Sequence, residues 1–229
     1  MRIIERCEQR TKAWEKLHIG VPTASNFHKI LTPKKMRKSE QWNKYKYRLL
    51  AERLMNEYLP DRAVTGGESI YWMNRGIDME VSAATAFEHA TNQKIEHIGF
   101  VWDSAKKKLG CSPDGLIVGS KERQAVEIKS PAPWTQIEYL LAEEDDEPWQ
   151  QYRCQVQGQI IIGGFEGVHF WSYHPRMPPV HVFTEPDLLF IGILKELLAK
   201  FVDELDSDYK RAKELGTYIT AEEILNLSE

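Results

Sequence analysis

Asp114, Glu127 and Lys129 are the residues of this chain whose types and spacing could do chemistry together. Two apolar-containing runs, Leu116-Ile117-Val118 and Gln124 to Lys129, flank a polar stretch from Gly119 to Arg123, the pattern of a β-hairpin. With the turn centred near Ser120-Lys121, Leu116 faces Ala125 and Asp114 falls opposite Glu127. Residues paired in this way have Cβ atoms about 4.5–5.5 Å apart, and like charges there repel. Alternation places Glu127 and Lys129 on one face, with Val126 and Ile128 on the other. A divalent cation between the carboxylates would turn repulsion into binding. The same residues also suit a half-exposed hairpin, because Ser-Pro-Asp-Gly is a good turn sequence and a Glu/Lys pair is common on a solvated strand. A one-residue slip would flip the faces.

Other elements must bring partners to this hairpin. Spacing predicts a helix from about Glu68 to His89 with an apolar stripe of Ile70, Met73, Ile77, Ala84 and Phe87. Glu80 fills the gap in that stripe. A carboxylate in an apolar seam is costly unless it is paired, metal-bound or snorkelling to the edge, where Arg75 could meet it. A second helix, Trp149 to Ile162, carries Tyr152, Arg153, Gln155, Gln157 and Gln159 and is stopped by Gly163-Gly164.

Nearer the N-terminus, Pro22-Thr23 reads as a helix start with Phe27, Ile30 and Leu31 buried, and such a start can hold a phosphate. A basic loop, Pro33 to Lys38, precedes a helix from Ser39 to about Leu59. Its stripe is Trp42, Tyr45, Leu49, Leu50, Leu54 and Tyr58, with Lys44, Lys46, Arg48 and Arg53 largely outside it. Strands are expected over Lys94–Asp103, Val168–Tyr173 and Val180–Phe183, and a helix from Trp134 to Ala142. An acidic loop covers residues 143–147. The last helix starts at Pro186, with a stripe of Leu189, Ile193, Leu197, Phe201 and Leu205 on a face widened by Leu194, Leu198 and Val202. The expectation is a single α/β domain over residues 1–229. It has a basic helical part over residues 1–60 and a core with a mixed sheet flanked by helices over 61–229.

Composition narrows the partners. The 229 residues are 42% apolar, enough for a sizeable core. No apolar run approaches the roughly 18 residues of a membrane span, and the first residues lack a secretory signal. Three scattered cysteines fit a reducing cytoplasm and cannot build a four-cysteine cluster. The net charge of −4 is unevenly spread: residues 1–60 hold 14 Lys/Arg against 6 Asp/Glu, and the remainder holds 16 against 28. A basic third on an acidic body points to a polyanion partner, although solvated basic helix faces would give the same count.

An aspartate followed about a dozen residues later by Glu-x-Lys is the pattern of PD-(D/E)xK nucleases. Around it stand, in order, Trp14 with Gly20-Val21-Pro22-Thr23-Ala24-Ser25, then Gly76-x-x-x-Glu80, Cys111-Ser112-Pro113-Asp114-Gly115, Glu127-Ile128-Lys129-Ser130-Pro131, Gln155-Val156-Gln157 and Tyr173-His174-Pro175-Arg176. This series resembles the phage lambda exonuclease family. The resemblance implies a restriction-endonuclease-like fold and a homotrimeric ring around DNA. It implies 5′-to-3′ degradation of linear duplex DNA to mononucleotides, leaving a 3′ overhang on which a single-strand annealing protein loads. The setting would be the bacterial cytoplasm.

For the site, the resemblance implies two Mg²⁺ or Mn²⁺ ions. Asp114, Glu127 and the Ile128 carbonyl would hold one, and Glu80 with Asp114 the other. Lys129 would be a base or water-positioner, its amine shifted down by the cations. Gln155 would touch the site, Ser25 and Ser112 would hold a 5′ phosphate beside Thr23, and Lys34 would contact DNA. The chain departs from the family at His18, where an arginine is expected. Either His18 is protonated by the phosphate, or Lys16, Lys34 or Arg153 substitutes. Two alternatives stay open: a structure-specific endonuclease of the same superfamily, and a DNA-binding assembly protein that does not cut.

Overall fold

The computed structural model describes residues 2–60, 67–121, 123–142 and 148–215. The acidic run 143–147 and the side chains of Ile70 and Met73 lie outside the described residues. The chain opens with β1 (Ile3–Glu5), α1 (Lys12–His18), a 3-10 turn (Ala24–Lys29), α2 (Trp42–Met55) and α3 (Gly67–Thr91). Then come β2 (Ile95–Glu96), β3 (Phe100–Trp102), β4 (Gly110–Cys111), β5 (Gly115–Ile117) and β6 (Gln124–Lys129). It closes with α4 (Pro133–Leu141), a 3-10 turn (Pro148–Tyr152), α5 (Arg153–Gly163), β7 (Gly167–His174), β8 (Met177–Thr184) and α6 (Leu188–Glu214).

Strands β2-β5-β6-β7-β8 form a five-stranded mixed sheet in that order, with β6 and β7 parallel and the other pairs antiparallel. The α5 crossover lies between the parallel strands, as such a connection requires. Alternation along β6 and β7 splits the core. Ala125 and Phe170 pack with Phe27, Val156 and Phe201 on one side of the sheet. Val126, Ile128 and Trp171 pack with Ala83, Ala84 and Phe87 of α3 on the other. Glu127 alternates with Val126 and Ile128, so it shares the α5 side with Ala125. The second sheet, β1-β3-β4, has three short strands.

The hairpin pairs as expected, Gly115 with Val126 and Leu116 with Ala125. Four other expectations change. Lys94–Asp103 is not one strand: Ile95–Glu96 and Phe100–Trp102 belong to different sheets. The chain turns between them because Gly99 donates to Glu5 O at 3.0 Å, against Cys7, whose carbonyl a Cβ at position 99 would meet at 2.6 Å. β1, which supplies that edge, is only three residues long and has no legible period. The segment after Pro22 is a 3-10 turn rather than an α-helix, although Phe27, Ile30 and Leu31 are fully buried as expected.

The α6 seam runs through Phe190, Leu194, Leu198, Phe201 and Leu205, and Leu189 is exposed. Uniform steps of four drift around a 3.6-residue helix; the observed seam includes a step of three and stays on one face. On α2, Lys46 is buried rather than outward. It pairs with Glu204 at 3.2 Å and Asp208 at 2.7 Å, both on α6. Arg53 and Lys108 meet Asp206 of α6 at 2.7 and 2.5 Å. Part of the basic third therefore ties α2 to α6 instead of facing outward. Among the described residues, no helix is long and apolar enough to cross a membrane.

Candidate active site

The regular ladder of the hairpin stops at Asp114. Its N–H donates to Val126 O at 3.0 Å, and its own Oδ2 accepts the Ile128 N–H at 2.5 Å. These two bonds hold the Asp114 carboxylate beside Glu127. Burial and the Glu127 charge raise the Asp114 pKa well above the carboxylate range; Lys129 and the Ile128 N–H only partly offset them, and Glu80 adds to the rise. The site concentrates negative charge that a cation would relieve. Ile128 meets Asp114 through its amide N–H; the expectation concerned its carbonyl.

Glu127 is 2% exposed and surrounded by donors. Gln155 Nε2 donates to Oε1 at 2.6 Å, Gln159 Nε2 donates to Oε2 at 2.5 Å, and Lys129 forms an ion pair with Oε1. Gln155 and Gln159 are one turn apart on α5, so one helix face serves both oxygens. Gly158 permits this approach, because a Cβ there would lie 2.5 Å from the Phe27 ring. Burial alone would lower the Lys129 pKa, but the Glu127 and Asp114 carboxylates outweigh it and the amine ends above its ordinary value. The downward shift expected for Lys129 is therefore not a property of the protein by itself.

A cavity of about 240 Å³ joins these groups to the N-terminal elements. Asp114, Glu127, Gln155 and Gln159 line one part of it, and Thr23, Ser25, Asn26 and Ser112 another. The hydroxyls are held by the second sheet: Gly110 of β4 donates to Pro22 O at 3.2 Å, and Ser112 follows β4 directly. Thr23 Oγ1 lies 3.3 Å from Ser25 Oγ, and Trp14 Nε1 donates to Ser112 Oγ at 3.0 Å. His18 lines the same cavity, its ring 3.7 Å from that of Trp14 and 4.6 Å from that of Phe100. Burial depresses its pKa to about 4 against a partial rise from the Trp14 carbonyl. It is thus neither a surface histidine nor a ready cation.

Residues 13–166, well over half of the chain, match the model of the YqaJ-like viral recombinase domain. The chain belongs to that family. The fold is similar to that of an alkaline exonuclease, LHK-Exo, from Laribacter hongkongensis. The TM-score is 0.74 at 24% identity, over 89% of this chain and 97% of that one. LHK-Exo in complex with dAMP gives 0.73 at 24% identity, over 90% and 100%. A phage-related exonuclease from Haemophilus somnus 129PT gives 0.57 at 13% identity, over 82% and 96%. No curated protein matches the sequence significantly.

The matched recombinase domain contains every residue of the cavity except Gln9 and Arg10. Five expected site residues do not line the cavity: Lys129 and Ile128, which bond to Glu127 and Asp114 at its wall, and Glu80, Arg153 and Lys34. Glu80 is not in a buried seam, since Ile77 beside it is 40% exposed. Its carboxylate pairs with Arg10 at 2.5 Å, near enough for Asp114 to feel its charge. Among the described residues, no three His, Cys, Asp or Glu side chains stand together as metal ligands. Arg153 is paired with Asp187, 4.3 Å over the Phe190 ring. Lys34 is exposed and does not line the cavity. The sequence reading missed Arg10, Arg48 and Gln159, all of which line it. Gln159 alone carried a signal, being four residues beyond Gln155.

Proposed function

We propose that this recombinase-family chain is a metal-dependent 5′-to-3′ exonuclease of linear double-stranded DNA. It would release 5′ mononucleotides and leave 3′ single-stranded overhangs for recombination by strand annealing. One observation carries the reading: a single cavity is lined by two adjoining carboxylates and by a cluster of hydroxyl and amide donors. The carboxylate part suits phosphodiester hydrolysis, and the donor part suits the phosphate of a strand end. The complex of the similarly folded LHK-Exo with dAMP agrees with a mononucleotide product.

The donor chemistry fits Mg²⁺ or Mn²⁺. Asp114, Glu127 and Glu80 offer only oxygen, and the raised Asp114 pKa marks a place where a cation lowers the energy. Asp114, Glu127 and the Ile128 carbonyl would hold one ion, and Glu80 with Asp114 a second once Glu80 leaves Arg10. Bound there, the ions would activate water and stabilise the leaving oxygen. Gln155, Gln159 and Lys129 hold Glu127 in place. Lys129, held as an ammonium, orients water and offsets charge on the attacked phosphate. Thr23, Ser25 and Ser112 grip the terminal phosphate, which sets the next bond against the carboxylates.

A ring of three copies threaded by duplex, and an annealing protein receiving the 3′ strand in the bacterial cytoplasm, belong to the same reading. The test is digestion of linear and closed circular duplexes with and without Mg²⁺. Mononucleotides released only from linear DNA, and only with metal, are expected. Cutting of closed circles would favour an endonuclease, and no cutting of either would favour an assembly protein.

A further inference from the structure

We infer that Arg48 anchors the terminal 5′ phosphate, supplied from α2 in place of a cation on α1. The inference rests on the exonuclease reading above. It starts from His18, which is 8% exposed. Its Nδ1 is 2.8 Å from Trp14 O, which can only accept, so Nδ1 carries the hydrogen. Nε2 then presents a lone pair toward the Ser112 hydroxyl, 3.5 Å away. A phosphate oxygen would meet that lone pair unfavourably, and burial keeps the ring neutral. Lys16, Lys34 and Arg153 do not line the cavity.

Arg48 does line it, with Thr23, Ser25 and Asn26. Its guanidinium lies 5.3 Å from the Tyr45 ring centroid, and the hydroxyl of that same tyrosine accepts the Thr23 N–H at 3.1 Å. One fully packed aromatic ring therefore orients both the cation and the hydroxyl turn. Glu52 supports the arrangement from below: Oε1 is 3.5 Å from Arg48 Nε, and Oε2 accepts the Gly20 N–H at 2.8 Å. Arg10 also lines the cavity, but it pairs with Glu80, a ligand of the proposed second ion, so even when released it stands on the metal side, whereas Arg48 shares Tyr45 with the hydroxyl turn. A guanidinium recognises a phosphomonoester dianion by charge and by paired hydrogen bonds, which a hydroxyl end cannot offer. Arg48 is thus the specificity-determining residue for phosphorylated ends.

The experiment is equilibrium binding of short linear duplexes bearing 5′-phosphate or 5′-hydroxyl ends, in Ca²⁺ so that no cutting occurs. The wild-type protein should prefer the phosphorylated end about tenfold or more, the effect of one charge-assisted contact. Arg48→Gln should abolish the preference while holding hydroxyl-end affinity within about twofold; Arg48→Lys should keep part of it. Arg48→Gln with His18→Arg should restore it, because the cation returns from the other helix. If Arg48→Gln melts early because Glu52 has lost its partner, Arg48→Gln with Glu52→Gln makes the same comparison without the buried charge. Undiminished preference in the folded Arg48 variants would overturn the inference. Equal wild-type binding of both ends would overturn it and leave the exonuclease reading standing, whereas no wild-type affinity for any end would overturn both.

Discussion

Gln159 gives its amide N–H to Glu127 Oε2 at 2.5 Å, and both residues are almost wholly buried. A hydrogen bond to a buried carboxylate is worth about 1.5–3 kcal/mol, and it also fixes where the charge sits. Gln159→Met keeps the volume and removes the donor. It should cut the rate on linear duplex by about 10–100-fold and weaken Mn²⁺ binding, followed by electron paramagnetic resonance. Unchanged values of both would leave Gln159 as filling only.

Lys129→Ala should lower cleavage by about 10²–10⁴-fold with duplex affinity nearly intact, since the amine pairs with Glu127 and does not line the cavity. Single-turnover rates and binding isotherms on the same duplex separate the two effects. Full activity would remove Lys129 from the mechanism.

The protein should lose stability in mild acid through His18. Its folded pKa is about 4 against 6.5 unperturbed, so between these values the unfolded chain takes up a proton that the folded chain refuses. The contribution is complete above pH 6.5 and lost as the pH falls toward 4; its size is about 3 kcal/mol. His169, also held at about 4, adds with the same sign, while the raised pKa of Asp114 acts in the opposite sense. Urea midpoints should fall from pH 7 to pH 5, and His18→Gln should narrow the gap. An equal gap in both proteins would acquit His18.

Salt dependence should distinguish cations that meet DNA from those that bind α6. Each neutralised phosphate contributes about −0.9 to the slope of log affinity on log salt. Lys34→Ala should reduce the slope by about one. Lys46→Ala should leave it unchanged, because that ammonium is occupied by Glu204 and Asp208. A reduced slope for Lys46→Ala would mean that the α2–α6 contact opens on DNA.

Gly158→Ala should destabilise the fold by about 1–3 kcal/mol, the usual cost of overpacking, since the added methyl meets the buried Phe27 ring. Thermal melting checks it. Cleavage should fall beyond the loss of folded protein, as α5 carries both glutamines away from Glu127. A variant as stable as the wild type would show that the 3-10 turn yields easily.

The hairpin was legible because its short polar loop centres the turn near Ser120-Lys121 and so fixes the register, and Gly115 pairs with Val126 accordingly. Glu127, Lys129, Gln155, Thr23, Ser25 and Ser112 could be placed near one another through their motifs. What sequence periodicity could not carry were contacts between elements. Arg48 looks like any outward cation until Tyr45 and Glu52 are seen to hold it at the wall of the cavity that Thr23 also lines. Glu80 looks like a seam residue until Arg10, from a segment without a period, reaches it. On α6 the error is confined to the first turn, where the exposed Leu189 stands one residue, or 100°, from the buried Phe190; Leu194, Leu198, Phe201 and Leu205 are buried as expected.

Ser112 and Asp114 flank one proline in the short link between β4 and β5. Two residues of such chain span at most about 7 Å. On the proposed reading, the grip on the strand end and the blade share one short rigid handle, so the length of each excised piece is dictated by covalent geometry. Such an enzyme would count nucleotides singly because its own backbone is the ruler.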